Sequence, residues 1–356
     1  MSRPRRLRVR YLLEGSALFG GTKVALRHAE LLAGRGHRVS VVGREPRPEW
    51  HRSAESEDDG TGGGAFEYLA RPDLDLAGLP PADVTVATYW TTIGPAAAAP
   101  GAALHLCQGY EASYSHNRAD HAAIRAAYAR PLPAMVVSPH LGELLAREYG
   151  RPWRAVPPPL ERAFRPAFRR GPRRPPRVLV VSPFEIDWKG VATALEAVAL
   201  LRSRGLGCRL LRLSQWPEPA EERELLAADE FHAGLPPAAV PELVRSCDLL
   251  LAPSWEQEGF GLPALEAMAS GVPVVASDVS CYRAWAAGAA RLVPPDRPEA
   301  FAEAAETLLT EPAEWRRLRR AGLERARGHR EPVTAAAVEA ALEWVLAERA
   351  AVSATA

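Results

Sequence analysis

Short apolar runs alternate with helix-length stretches along the chain. Leu7, Val9, Tyr11, Leu12 and Leu13 read as a first strand, and residues 15–21 as a loop of small residues. A helix over 22–33 follows, with Val24, Leu26, Leu31 and Leu32 at roughly helical spacing. Gly34 and Gly36 stop it, and 39–42 form the next strand. A strand–helix–strand opening predicts a parallel sheet, which runs at 84–88, 103–107 and 134–138 extend. Residues 52–64, a cluster of Ser, Glu, Asp and Gly, predict a solvated loop.

The same alternation restarts further on. A strand at 177–182 leads to a helix over 189–203, then a strand at 208–213 and a helix near 217–228. Phe231-His232-Ala233-Gly234 and a helix over 238–246 precede a buried strand, Asp248-Leu249-Leu250-Leu251-Ala252, and another over 272–276. Helices at 298–309, 312–328 and 333–349 close the chain. Between the two runs of elements, Pro157-Pro158-Pro159 is followed by arginines interleaved with Pro166, Pro172, Pro175 and Pro176. That composition favours an extended, self-repelling linker rather than a contact with lipid or phosphate. The predicted organisation is therefore α/β: a domain over 1–160, a linker over 161–177, a second domain over 178–330 and a closing helix over 331–356.

Composition narrows the class without naming it. The 356 residues suffice for two cores, and 47% hydrophobic with 24% charged residues is ordinary for a globular protein. A net charge of +1 offers no bulk attraction for nucleic acid. Cys107, Cys208, Cys247 and Cys281 lack metal-ligand spacing and read as buried thiols of a reducing cytoplasm. Arg3, Arg5, Arg6, Arg8 and Arg10 precede no apolar leader core, and no run approaches the roughly 20 residues that span a bilayer. Arginine has displaced lysine everywhere except Lys23 and Lys189, which makes those two worth inspecting.

The chemistry concentrates in Ser254-Trp255-Glu256-Gln257-Glu258-Gly259-Phe260-Gly261-Leu262-Pro263-Ala264-Leu265-Glu266, which runs on to Gly271 and Val275. Pro263 suits a first helical turn and Gly271 a helix end, so a helix opens between two buried strands. Backbone amides near Phe260 and Gly261 would then lie at its positive end, with Gly259 and Gly261 allowing a ligand close to the main chain. Glu266 is expected in the first turn, and Glu258 just ahead of it. This segment resembles the E-x7-E signature of retaining glycosyltransferases with the GT-B fold, above all glycosyltransferase family 4. Gly20-Gly21-Thr22-Lys23-Val24 resembles that family's opening glycine loop, and Asp187-Trp188-Lys189-Gly190-Val191 its lysine–glycine turn.

The resemblance implies two Rossmann-like, doubly wound domains facing a cleft, with the closing helix packed back on the first. It implies transfer of a sugar from a nucleotide diphosphate sugar to an acceptor hydroxyl, with retained anomeric configuration and no cofactor or metal. Glu258 would contact the transferred sugar, Glu266 the ribose, and Lys189 with Gly190 the diphosphate. Gly259, Phe260, Gly261 and Leu262 would line the donor site, and Gly20 and Gly21 would approach it from the first domain. Two positions depart from the family. Pro183 stands where an arginine six residues before Lys189 is expected, with Arg162, Arg283 or Lys23 as substitutes. Gln108 stands where a histidine is expected, and an amide carries no proton near neutral pH.

On the acceptor side, His105, Gln108, Tyr110 and Glu111, with Tyr114 and His116, form a candidate wall or a plain loop. The acceptor class is a glycan, a lipid-linked intermediate or a natural-product scaffold. The location expected is cytoplasmic, with at most peripheral contact at the inner membrane face. Rival readings are a sugar-nucleotide-binding pseudoenzyme or partner subunit, and less strongly a nucleotide-sugar epimerase. Gly15, Gly20, Gly21 and Thr22 nearly match a P-loop but lack its lysine, and Asp73-Leu74-Asp75 imitates a metal-binding DxD in a loop without the sheet that motif needs.

Overall fold

The computed structural model describes residues 6–51 and 64–355, so Arg3, Arg5 and nearly all of the loop expected over 52–64 lie outside the described residues. The chain divides into two units, Met1–Pro159 together with Glu331–Ala356, and Leu160–Arg330.

In the first unit the strands are β1 (Arg8–Leu13), β2 (Arg38–Gly43), β3 (Glu67–Ala70), β4 (Val84–Ala87), β5 (Ala102–Cys107), β6 (Ala134–Val136) and β7 (Trp153–Ala155). Their order is β3-β2-β1-β4-β5-β6-β7, every pair parallel. The central strands bury consecutive residues, which requires cover on both faces and explains their largely apolar runs, Arg10, Thr85 and His105 excepted. The edge strands β3 and β7 expose much of their length and carry no such run, so periodicity misses them. Helix Gly20–Gly34 buries Val24, Leu26, Ala29 and Leu32; it starts two residues earlier than expected, so Gly20 and Gly21 belong to its first turn rather than to the loop.

The C-terminal helix Glu331–Thr355 belongs to this unit. Val338, Leu342 and Val345 are buried, Arg35 pairs with Glu339 at 2.7 Å, and Arg27 donates from Nε to Glu331 at 2.8 Å.

The second unit repeats the pattern with β8 (Arg177–Val181), β9 (Arg209–Ser214), β10 (Glu230–Ala233), β11 (Leu249–Ala252), β12 (Val274–Ser277) and β13 (Arg291–Val293). The order β10-β9-β8-β11-β12-β13 is again wholly parallel. Val178, Val180, Leu249, Leu251 and Val275 share one apolar core with helices Val191–Ser203 and Pro298–Thr310. Helix Leu262–Ala269 packs with helix Pro312–Arg327.

The stretch expected as a free linker is a docked part of this unit. Asp248, wholly buried, accepts from Arg169 Nη1 at 2.7 Å, from Arg173 Nη1 at 3.2 Å and from the Arg177 backbone N–H at 2.8 Å. Phe164 is buried as well. A buried carboxylate needs such partners, and here the arginines supply them. Composition alone favours extension because it does not show the anion that collects those charges.

Candidate active site at the carboxyl ends of the second sheet

In an open parallel sheet the crevice for a ligand lies beyond the carboxyl ends of the strands, where strand order reverses. In the second unit that point falls between β8 and β11. Val181 and Ser182, from the end of β8, and Ala252, Pro253 and Ser254, from the end of β11, line a small cavity there with Lys189, Glu258 and Tyr282.

Glu258 is its hub. The carboxylate is buried; Oε2 accepts from Lys189 Nζ at 2.7 Å and from Ser254 Oγ at 2.8 Å, while Oε1 accepts from the Gly261 N–H at 3.1 Å. Burial by itself would raise the pKa of this carboxyl. The Lys189 charge and hydrogen bond, Ser254 and the Phe260 backbone N–H outweigh burial and hold it below the usual carboxylate range. Lys189 Nζ also lies 4.2 Å from the centre of the Trp188 ring, a cation–π contact. An ammonium has three N–H donors, so one carboxylate does not exhaust it.

Several expected roles change on this geometry. The Phe260 and Gly261 amides, expected to face an anion, bond to Glu258 instead. Phe260 is buried against Trp285, ring centroids 4.5 Å apart, and its carbonyl accepts from Trp285 Nε1, so it is core. Gly190 and Gly261 are glycines for protein reasons: both have positive φ, +64° and +80°. A Cβ at Gly190 would lie 2.2 Å from the Pro253 carbonyl oxygen, and one at Gly261 2.5 Å from the Tyr282 hydroxyl. Helix Leu262–Ala269 holds no acid in its first turn, which puts Glu266 one turn further along than expected, half-buried. Gly259 and Leu262 lie in the loop and first turn beside Glu258.

Three residues of this site escaped sequence reasoning. Ser254, which opens the signature segment but was given no role there, and Tyr282, which belongs to no motif, are cavity walls. Arg212, on β9, is wholly buried: it meets Glu222 and donates to the carbonyls of Val180 and Ser182, each at 2.7 Å. It clamps the end of β8 from below, and the signal was a charge inside an apolar strand. Ser182 there has φ +133°, a conformation that L side chains rarely adopt. Of the proposed substitutes for the arginine missing at Pro183, Arg283 is bound to Asp278 at 2.7 Å.

In the first unit, Gln108 and Gly21 come together: Gln108 Nε2 donates to the Gly21 carbonyl at 3.0 Å. His105 does not reach a binding surface. It is fully buried, accepts at Nδ1 from Arg151 at 3.1 Å, and is held well below its ordinary pKa by burial and by that guanidinium. Tyr110 bonds to the Tyr149 hydroxyl at 2.6 Å and packs on Tyr128. Glu111 is buried too, and burial raises its carboxyl to about 7; the Tyr128 hydroxyl, a backbone N–H and Arg151 offset this only in part. Tyr114 and His116 stack on each other. Asp73 and Asp75 are exposed, and no cluster of three potential metal ligands occurs among the described residues. All four cysteines are buried free thiols.

Two Rossmann-like parallel sheets, each with a ligand-type switch point, are the architecture of GT-B glycosyltransferases. Solved structures agree in fold: sucrose-phosphate synthase from Thermosynechococcus elongatus, TM-score 0.72 at 18% identity over 96% of this chain and 100% of that one. The Anabaena protein Alr3699/HepE, solved in complex with UDP-glucose, gives 0.76 at 13% identity over 95% and 100%. Residues 175–311, most of the second unit, match the family model Glycosyl transferases group 1. MMP alpha-(1->4)-mannosyltransferase of Mycolicibacterium hassiacum is 35% identical over 158 residues, 42% of this chain and 38% of that protein. D-inositol 3-phosphate glycosyltransferase of Pseudarthrobacter chlorophenolicus is 36% identical over 155 residues, 38% and 37% of the two. The chain thus spans under two fifths of the length of these curated relatives.

Proposed function

We propose that the protein transfers a sugar from a nucleotide diphosphate sugar to an acceptor hydroxyl, with retention of anomeric configuration. The observation that carries this reading is the Lys189–Glu258–Ser254 constellation at the switch point of the second sheet. The matched family and the transferase names of the relatives support it. Lys189 would offer its remaining N–H groups to the diphosphate and stabilise charge on the departing phosphate. Glu258, held ionised, would accept from hydroxyls of the transferred sugar, and Glu266 from the ribose. The departing phosphate would help deprotonate the acceptor on the same face. Gln108 and Tyr110 are proposed on the acceptor side, for a glycan, lipid-linked or natural-product hydroxyl. The reaction is proposed to need no divalent metal, and the location to be cytoplasmic with at most peripheral membrane contact. No helix among the described residues is long and apolar enough to cross a membrane.

A binding-only reading is favoured by two positions: Pro183 in place of a phosphate-contacting arginine, and Gln108, whose amide already bonds to Gly21. Incubation with GDP-mannose, UDP-glucose and other nucleotide sugars, with and without acceptors, separates the two. The expected result is acceptor-dependent nucleotide release that persists in EDTA. Proton NMR of the first-formed glycoside should show the donor's anomeric configuration; an inverted coupling overturns the mechanism, and donor binding without any glycoside favours the binding-only protein.

A further inference from the structure

Phe168 is 88% exposed, whereas the other exposed large hydrophobic residues among those described reach 46% at most. Its loop is pinned at several points. Arg319 Nη2 donates to the Ala167 carbonyl at 2.5 Å, Arg316 Nη1 to the Arg170 carbonyl at 3.0 Å, and Arg169 Nη1 to the Cys247 carbonyl at 2.8 Å. The ring is therefore presented on an anchored turn. In the same stretch Arg165, Arg170 and Arg174 are exposed, as is Arg316 of the adjoining helix, and none of the four has a carboxylate partner among the described residues. Arg170 lies 5.8 Å from the centre of the Phe168 ring.

We propose that residues 165–174 and the adjoining face of helix Pro312–Arg327 form a docking surface for an anionic lipid bilayer, with Phe168 entering the lipid interface. Phe168 is the single large apolar side chain in residues 165–174, so the patch offers a protein partner no apolar cluster to bury as an interface core. The interfacial region of an anionic membrane rewards both features at once: cations are drawn to the headgroups and the ring partitions among them. A soluble polyanion would engage the arginines without needing the ring. The inference concerns a surface of the second unit and is independent of sugar transfer, so it is tested without nucleotide.

The full chain is sedimented with vesicles of phosphatidylcholine alone and of phosphatidylcholine with an equal part of phosphatidylglycerol. Binding is expected only to the second, declining as salt rises. Phe168→Ala should lower the partition roughly five- to tenfold, the scale of losing a partly buried ring, while Phe168→Trp restores it. Arg165→Ser with Arg170→Ser should weaken binding and flatten its salt dependence, with the thermal unfolding midpoint unchanged. Equal binding to both vesicles, or Phe168→Ala sedimenting like the parent, would overturn the proposal. A surface that binds heparin but not the anionic vesicles would do the same and point to a soluble polyanion.

Discussion

Lys189 and Glu258 hold one another in place, and that mutual dependence gives the site its most sensitive residue. Removing the ammonium by Lys189→Met leaves a buried carboxylate with only Ser254 and backbone amides as partners. Such a loss costs about 3 kcal/mol, discounted somewhat because the lysine is partly exposed. The expected outcome is a lower denaturation midpoint together with lost affinity for a nucleoside diphosphate by calorimetry. A variant that loses affinity at full stability would show that Lys189 serves the ligand alone. In the first unit, Glu111 makes the opposite kind of prediction. Burial raises its pKa from 4.5 to about 7, so the folded state holds a proton that the unfolded chain has released. Between those values stability should fall as pH rises, by roughly 3 kcal/mol in all, and level off above the folded pKa. Glu111→Gln should remove that slope; urea midpoints of parent and variant across the range measure it.

At the scale of elements, the loops at the ends of β8 and β11 are locked together by backbone contacts. Trp255 donates its N–H to the Trp188 carbonyl at 2.8 Å, and Gly190 closes against Pro253. Gly190→Ala therefore adds a Cβ at a positive φ and against a backbone carbonyl that has little room to move. The expected loss is at least about 2 kcal/mol, from conformational strain and from the clash. Gly205 also has positive φ, but a Cβ there meets nothing within 4 Å, so Gly205→Ala should cost only the strain. Comparing the two unfolding midpoints separates the terms, and equal losses would mean that the Pro253 contact contributes nothing.

For the molecule as a whole, the second unit is one continuous stretch, whereas the first is completed by a helix from the far end of the chain. Residues 160–330 expressed alone should unfold cooperatively, because the segment carries its own core and its own partners for Asp248. Residues 1–159 alone should bind a hydrophobic dye and melt broadly, since Val338, Leu342 and Val345 no longer cover their neighbours. Supplying 331–355 as a peptide should sharpen that transition. A cooperative melt of 1–159 without the peptide would show the terminal helix to be dispensable.

The central strands of both sheets were legible because a strand covered on both faces is mostly apolar, as in Tyr11-Leu12-Leu13 of β1, Val178-Leu179-Val180-Val181 of β8 and Leu249-Leu250-Leu251-Ala252 of β11. Edge strands β3 and β7 carry no such constraint and left no pattern. Sequence likewise nominated Glu258 and Lys189, through the resemblance of their segments to a glycosyltransferase family's E-x7-E signature and lysine–glycine turn, with the scarcity of lysine pointing to Lys189 as well. Tertiary structure decided what these groups touch. The distance from 189 to 258 along the chain says nothing of a 2.7 Å ion pair, nor of the amides at 260 and 261 turning to Glu258. It also decided the fate of the arginines at 169 and 173, read as repelling one another until Asp248 is found beneath them. Periodicity records whether a residue is covered, a local property of each element. Which charge meets which depends on long-range chain return, and that is fixed only when strands adjacent in the sheet bring their loop ends together.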